Sequence, residues 1–266
     1  MCGTCGCQSE ADVPPLAKAS TQVLQLQQNL LTQNDRLAEH NRALFRHLLA
    51  LNILASPGAG KTTLVQRLLR DRALIAESDP MHSHPTPLLA GVIVGDLASD
   101  RDAQRLRQTG VPVMQINTGE LCHLEADSVA QAAGQLDLAN LHLLIIENVG
   151  NLVCPAAFDL GEDLRLVLMS VTEGEDKPLK YPTVFKSAHA VIISKIDLAE
   201  VVGFNREEAL HYLHLIAPQA LIFELSATTG AGLPSFYAYL GQAISQCREK
   251  TMARKDMPRP GLITSS

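Results

Sequence analysis

Three cysteines crowd the first seven residues, as Cys2-Gly3-Thr4-Cys5-Gly6-Cys7, and make up half of the six in the chain. Thiolates bind soft and borderline transition ions strongly, and glycine lets so short a backbone wrap around one. Structural zinc usually takes four protein donors from two separated pairs, but no second CxxC or HxxxH follows here. Removal of Met1 would free the Cys2 α-amine, whose pKa is ordinarily about 7.7, as a fourth donor in a square-planar set suited to nickel or copper. Taken alone, the arm reads equally as a loose terminus whose thiols oxidise or pair.

A second group of soft donors consists of Cys122-His123, expected in the loop after a third strand, and Cys154, expected in the loop after a fourth. Either thiol by itself reads as a core residue. An adjacent Cys and His with a third donor on a neighbouring loop reads as a metal site, if the two strands are neighbours. It would need a fourth ligand from water, another residue or a second copy of the chain. His82 and His84 offer weaker donors but read more simply as members of a polar loop.

Oxygen and phosphate chemistry is written in Ser56-Pro57-Gly58-Ala59-Gly60-Lys61-Thr62-Thr63, between an apolar run and an amphipathic stretch. That is the strand, loop and helix context of a phosphate loop. Backbone amides of Gly58 to Thr62 would face the phosphates, Lys61 would neutralise β- and γ-oxygens, and Thr62 would ligate Mg²⁺. Ala55 replaces the first glycine of the usual pattern. Farther on, Lys195 and Asp197 in Ser194-Lys195-Ile196-Asp197 resemble a base-recognition NKxD element, with Ser194 in the Asn position. A carboxylate at Asp197 accepts both the N1–H and the 2-amino group of guanine, a pair adenine lacks. Ser226-Ala227-Thr228 supplies the companion loop for the guanine O6, so GTP and GDP are expected in preference to adenine nucleotides.

Acids for the Mg²⁺ site are expected at strand ends. Asp96 and Glu147 fit, and Gly150 is placed to bond the γ-phosphate through its amide and sense hydrolysis. Asp100 and Asp102 read as a helix cap and a first-turn acid. No Gln or Arg identifies itself as a water-positioning or charge-stabilising residue, so intrinsic hydrolysis should be slow.

These residues require a scaffold. Short apolar runs at 49–55, 89–94, 111–116, 141–147, 164–171, 190–194 and 220–225 alternate with amphipathic stretches, as in an α/β P-loop fold with a doubly wound, mostly parallel sheet of about seven strands. The expected division is an arm and linker at 1–15, an amphipathic helix at 16–48, the nucleotide domain at 49–248 and a loose tail at 249–266. The helix carries apolar pairs at heptad steps, Val23/Leu24, Leu30/Leu31, Leu37/Ala38 and Leu44/Phe45, opposite a Gln- and Asn-rich face. It should dock on the domain rather than form a free coiled coil. A last helix is expected over 233–248.

Composition narrows the setting. A net charge of −6 and a pI near 5.8 argue against a broad nucleic-acid surface. No apolar run is long enough for a membrane span, and the start lacks the basic and apolar regions of a signal peptide. Reduced thiols in a cytoplasm are expected.

Together the CxxCGC arm, SPGAGKTT, Gly95-Asp96, Thr118-Gly119 leading to Cys122-His123, ENVGNLVCP at 147–155 and SKIDL at 194–198 resemble the hydrogenase nickel-incorporation GTPases of the HypB type, SIMIBI-class relatives of the urease nickel-insertion GTPases. The resemblance implies GTP hydrolysis, a GTP-dependent homodimer, and nickel delivery into the large-subunit precursor of nickel-iron hydrogenase with a second nickel-binding accessory protein. It further implies that Cys2, Cys5 and Cys7 form a tight nickel site and that Cys122, His123 and Cys154 form a weaker nickel or zinc site near the dimer interface. No long histidine-rich storage tract is present. A urease-type relative would be expected to carry a Cys-Pro-His element in place of Cys122-His123, while a metal-binding regulatory GTPase would bind nucleotide without regard to metal.

Overall fold

Strands buried on both faces need apolar residues at every position, and β1 (Leu49–Ala55) is buried throughout. The computed structural model describes residues 15–78, 88–96, 100–119 and 121–255. Seven parallel strands run in the order β3-β2-β4-β1-β5-β6-β7. The others are β2 (Ala90–Asp96), β3 (Val113–Asn117), β4 (Leu143–Gly150), β5 (Leu164–Ser170), β6 (Ala190–Ser194) and β7 (Leu221–Leu225). With every strand parallel, all carboxyl ends share one edge, where a site in such a sheet forms.

The helices are α1 (Pro15–Phe45), α2 (Lys61–Arg70), α3 (Arg72–Glu77), α4 (Arg101–Arg107), α5 (Ala126–Ala133), α6 (Lys177–Lys180), α7 (Pro182–Lys186), α8 (Arg206–Ile216) and α9 (Leu233–Lys255). Alternate residues of β1 point to opposite faces. Leu49, Leu51 and Ile53 join a core with Leu68 of α2 and Phe236 of α9. On the other face Ala50 packs with Phe45 of α1 and Val129 of α5, and Leu54 with Phe185 of α7 and Leu213 of α8. Asn52 lies between them on that face and is wholly buried.

The fold class is as the sequence indicates, and several boundaries differ. β3 begins at Val113, two residues later than the apolar run, and Leu141 precedes β4, which continues past Glu147 to Gly150. Helix α9 extends to Lys255, so residues 249–255 of the expected tail are helical. Among the described residues no helix is long and apolar enough to cross a membrane.

The face that α1 presents to the domain also differs. Ala38 and Phe45 are buried, but so are Asn34 and Asn41, while Leu30 is exposed. Asn34 Nδ2 donates to Asp159 O at 2.7 Å, and its Oδ1 accepts from Ala126 N at 2.9 Å. Asn41 Nδ2 donates to Ala126 O and Leu160 O at 2.8 and 3.0 Å. Loop backbone that would otherwise be buried without partners is thereby satisfied, which an apolar stripe could not do. Gly161 makes this approach possible: its φ is +82°, and an added Cβ would lie 2.5 Å from Ala38 O. Gly161→Ala should cost roughly 2 kcal/mol or more from the left-handed backbone and the clash. A melting temperature lowered by about 4–8 °C in a thermal scan is expected; an unchanged one would mean that α1 does not pack here.

Candidate functional site

At the carboxyl edge β1 gives way to the glycine-bearing turn that opens α2. Gly58 and Gly60 have φ of +77° and +102°, a left-handed geometry that turns the chain around a ligand without steric cost. The turn borders a cavity of about 450 Å³, also lined by Lys61, Thr62, Thr63, Asp96, Glu147 and Gly150. Lys61 is buried, and burial pushes its amine down while Glu147, Asp102, Glu173 and Asp96 oppose that shift. The Thr62 hydroxyl donates to Glu147 Oε1 at 2.6 Å. Burial pushes the Glu147 carboxyl up to about 7, and its Oε2 is a buried oxygen without a partner. Such an oxygen beside the Thr62 hydroxyl, with Asp96 lining the same cavity, suits a hard divalent cation. Gly150 approaches the turn so closely that a Cβ would meet Pro57 Cγ at 3.2 Å.

The expected acids at 100 and 102 divide. Asp100 occupies the cap position of α4 without bonding the helix amides, and its carboxylate takes Gln104 instead. Asp102 lines the 450 Å³ cavity.

A smaller cavity of about 130 Å³ adjoins it, sharing Gly60, Thr63 and Lys195, and is lined by Ala59, Asp197, Ser226, Ala227 and Thr228. Ser194 is buried, and its hydroxyl donates to Ala59 O at 2.7 Å, tying the loop after β6 to the turn after β1. The serine in the usual Asn position therefore has a specific partner. Lys195 is the only non-glycine described residue with positive φ, at 59°, and its Nζ donates to Gly58 O at 2.7 Å. Its side chain lines both cavities.

Strands β3 and β4 are not neighbours, because β2 lies between them. The condition set for the second thiol cluster is unmet, yet the parallel edge still brings the loops together. Asn151 Nδ2 donates to Cys122 O at 3.1 Å, and the neighbouring Cys154 thiol pushes the Cys122 thiol up, aided by burial. His123 Nδ1 lies 3.9 Å from Cys122 Sγ. The imidazole is stacked on Phe158 with centroids 3.7 Å apart. Burial lowers its pKa against the pull of Glu125, which favours the neutral, ligating form. Its Nε2 is a buried orphan, 3.6 Å from Glu125 Oε1 and beyond hydrogen-bond reach. The three donors are adjacent without converging: among the described residues no three His, Cys, Asp or Glu side chains are gathered closely enough to hold one ion. Cys2, Cys5 and Cys7 lie outside the described residues, as do His82 and His84.

Three site features have no counterpart in the sequence reading. Arg105 brings a cation to the cavity beside the 58–60 turn, and its spacing from Asp102 along α4 was the available signal. Asn148 lines the same cavity, and Phe158 backs His123. Nothing local marked either residue.

The family described as CobW/HypB/UreG, nucleotide-binding domain, matches residues 49–224. "Hydrogenase maturation factor HypB" of Escherichia coli (strain K12) is 42% identical over 233 residues, covering 87% of this chain and 76% of that relative. "Hydrogenase/urease maturation factor HypB" of Helicobacter pylori (strain ATCC 700392 / 26695) is 40% identical over 235 residues, covering 85% and 89%. The crystal structure of HypB from Helicobacter pylori in complex with nickel superposes with a TM-score of 0.72 at 40% identity, covering 82% of this chain and 96% of that one.

Proposed function

The chain belongs to the CobW/HypB/UreG family of nucleotide-binding proteins, and we propose from that premise that it is a GTP-hydrolysing nickel metallochaperone that inserts nickel into the large-subunit precursor of nickel-iron hydrogenase. One observation carries the reading: the run from Glu147 to Cys154 joins the phosphate cavity to a thiol beside Cys122 and His123. A change at the γ-phosphate is felt at Gly150, packed on Pro57, four residues before that thiol.

In this reading the amides of the turn and Lys61 hold the phosphates, and Lys195, Asp197, Ser226 and Ala227 hold the guanine. Thr62, Asp96 and Glu147 hold Mg²⁺, which supplies charge neutralisation on the β- and γ-phosphate oxygens. The Glu147 carboxyl must lose its proton to serve, and the nearby Lys61 ammonium favours that loss. Cys2, Cys5 and Cys7 hold nickel on the arm, while Cys122, His123 and Cys154 take nickel or zinc when the loops close or a second copy docks. GTP-dependent homodimerisation, a second nickel-binding accessory protein as partner and a cytoplasmic setting complete the proposal. Delivery to urease is a second reading, favoured by the combined name of the Helicobacter relative. Against it, the chain carries Cys122-His123 where a Cys-Pro-His element would be expected.

The test is an anaerobic nickel titration of the full chain with GDP and with a non-hydrolysable GTP analogue, recording stoichiometry and mass together. We expect one tight equivalent that ignores the nucleotide, a weaker one that responds to it, and a doubled mass with the analogue. Identical isotherms and masses in both states would remove the metallochaperone reading and leave a regulatory GTPase.

A further inference from the structure

A polar seam crosses the sheet beneath the two sites. Asn148 is buried, and its Nδ2 donates to Asn52 Oδ1 at 3.2 Å. Asn52 passes its own amide to Glu162 Oε1 at 3.1 Å. That oxygen also accepts from Arg165 Nε at 2.7 Å, and Glu162 Oε2 accepts from Leu160 N at 2.8 Å. Arg165, opposite Asn52 in the pairing of β1 with β5, donates to Ala156 O and Phe158 O at 3.2 and 3.1 Å. The first carbonyl belongs to the turn Cys154–Ala157, and the second residue's ring carries His123.

All four side chains are buried, on a sheet face that is otherwise apolar to either side. Apolar residues of similar volume often stabilise such a position as well as a buried ion pair does. Packing alone therefore does not account for the seam. Each link is a hydrogen bond with little slack, held in a close-packed interior that transmits displacement.

We propose that this seam couples the nucleotide state of the phosphate cavity to the geometry of the Cys122, His123 and Cys154 site, with Asn52 and Arg165 as positioning residues. The proposal rests on the nucleotide and metal reading above. A shift of the 147–150 segment displaces the Asn148 amide, and the seam hands that displacement to the carbonyls on either side of the thiol-bearing turn. A second route exists along the main chain from Gly150 to Cys154. Asn52 separates the two routes, because both hydrogen bonds of its side chain lie in the seam.

The experiment uses the full chain with Cys2, Cys5 and Cys7 changed to Ser, so that added nickel reports on the domain site. Nickel affinity is measured with GDP and with the GTP analogue, in this parent and with Asn52→Leu or Asn52→Ala added. The parent is expected to show a ratio between the two states of about fivefold or more. Either Asn52 variant should bring that ratio close to one, while GTP affinity and the GDP-state nickel affinity stay within about threefold. A parent ratio of one would overturn the nucleotide–metal reading itself. A parent ratio retained in the variants would overturn only the seam and assign coupling to the main-chain route. A measurement on the unmodified chain stands beside these should the variants not fold: exchange of the Leu160 amide, which donates to Glu162, should differ between GDP and the analogue. Equal protection in both states would overturn the seam.

Discussion

Replacing Lys61 by Ala is expected to lower GTP turnover by roughly 10³-fold, about 4 kcal/mol of transition-state stabilisation. The size of the effect follows from what surrounds the side chain. Lys61 is only 9% exposed and sits in the field of Glu147, Asp102, Glu173 and Asp96. Burial pushes its amine down while these acids hold the charge in place, so the ammonium is fixed where the proposed function puts the transferring phosphoryl group. Without it the cavity presents the carboxylates of Asp96, Asp102 and Glu147 to a polyanion against only the Arg105 and Lys195 cations on its lining. The Glu147 carboxyl would rise further, since the Lys61 ammonium is among the groups now lowering it. Phosphate release measured beside nickel binding by the arm separates this from unfolding: turnover should vanish and the tight nickel equivalent should persist. Turnover within about tenfold of the parent chain would mean that the GAGKTT turn does not hold the phosphates.

What the sequence discloses here divides along a physical line. Runs buried on both faces, such as 49–55 and 190–194, announce themselves because no alternation is needed, and a Lys-Thr after a glycine-bearing turn has few other uses. Sheet order is not local information: nothing in the runs at 113–117 and 143–150 says that β2 lies between them. Helix α1 hid its docking face for a different reason. Periodicity counts apolar residues, whereas Asn34 and Asn41 are buried because they satisfy the backbone of Ala126, Asp159 and Leu160. Asn52 was silent for the same reason, as a polar residue whose partners Glu162 and Asn148 lie about a hundred residues away. Ser194 shows the converse. The departure from Asn looks like a lost contact until its hydroxyl is found on Ala59 O.

Changing Cys122 and Cys154 together to Ser should weaken metal at the domain site by roughly 100-fold or more, while leaving GTP binding and the tight equivalent on the arm intact. Serine keeps the size and the hydrogen-bonding capacity of each side chain but replaces a soft donor with a hard one. The fold should tolerate the exchange, since both thiols are only half-buried and the link from Asn151 runs to the Cys122 carbonyl, not to its sulfur. His123 alone cannot retain the ion, because its Nε2 faces the Glu125 side and its ring is pinned on Phe158. Cys122 keeps its proton more firmly than a free thiol because Cys154 and burial raise it, and a metal must expel that proton to bind, so affinity should rise with pH. Titration of the double variant with nickel and with zinc, in the chain lacking the arm thiols, reads the effect directly. If either metal bound as tightly as to the parent, the ligands would lie elsewhere. In that case nickel bound by the arm would have to reach its recipient without passing beside the nucleotide, and hydrolysis could act only on the assembly of the two partners.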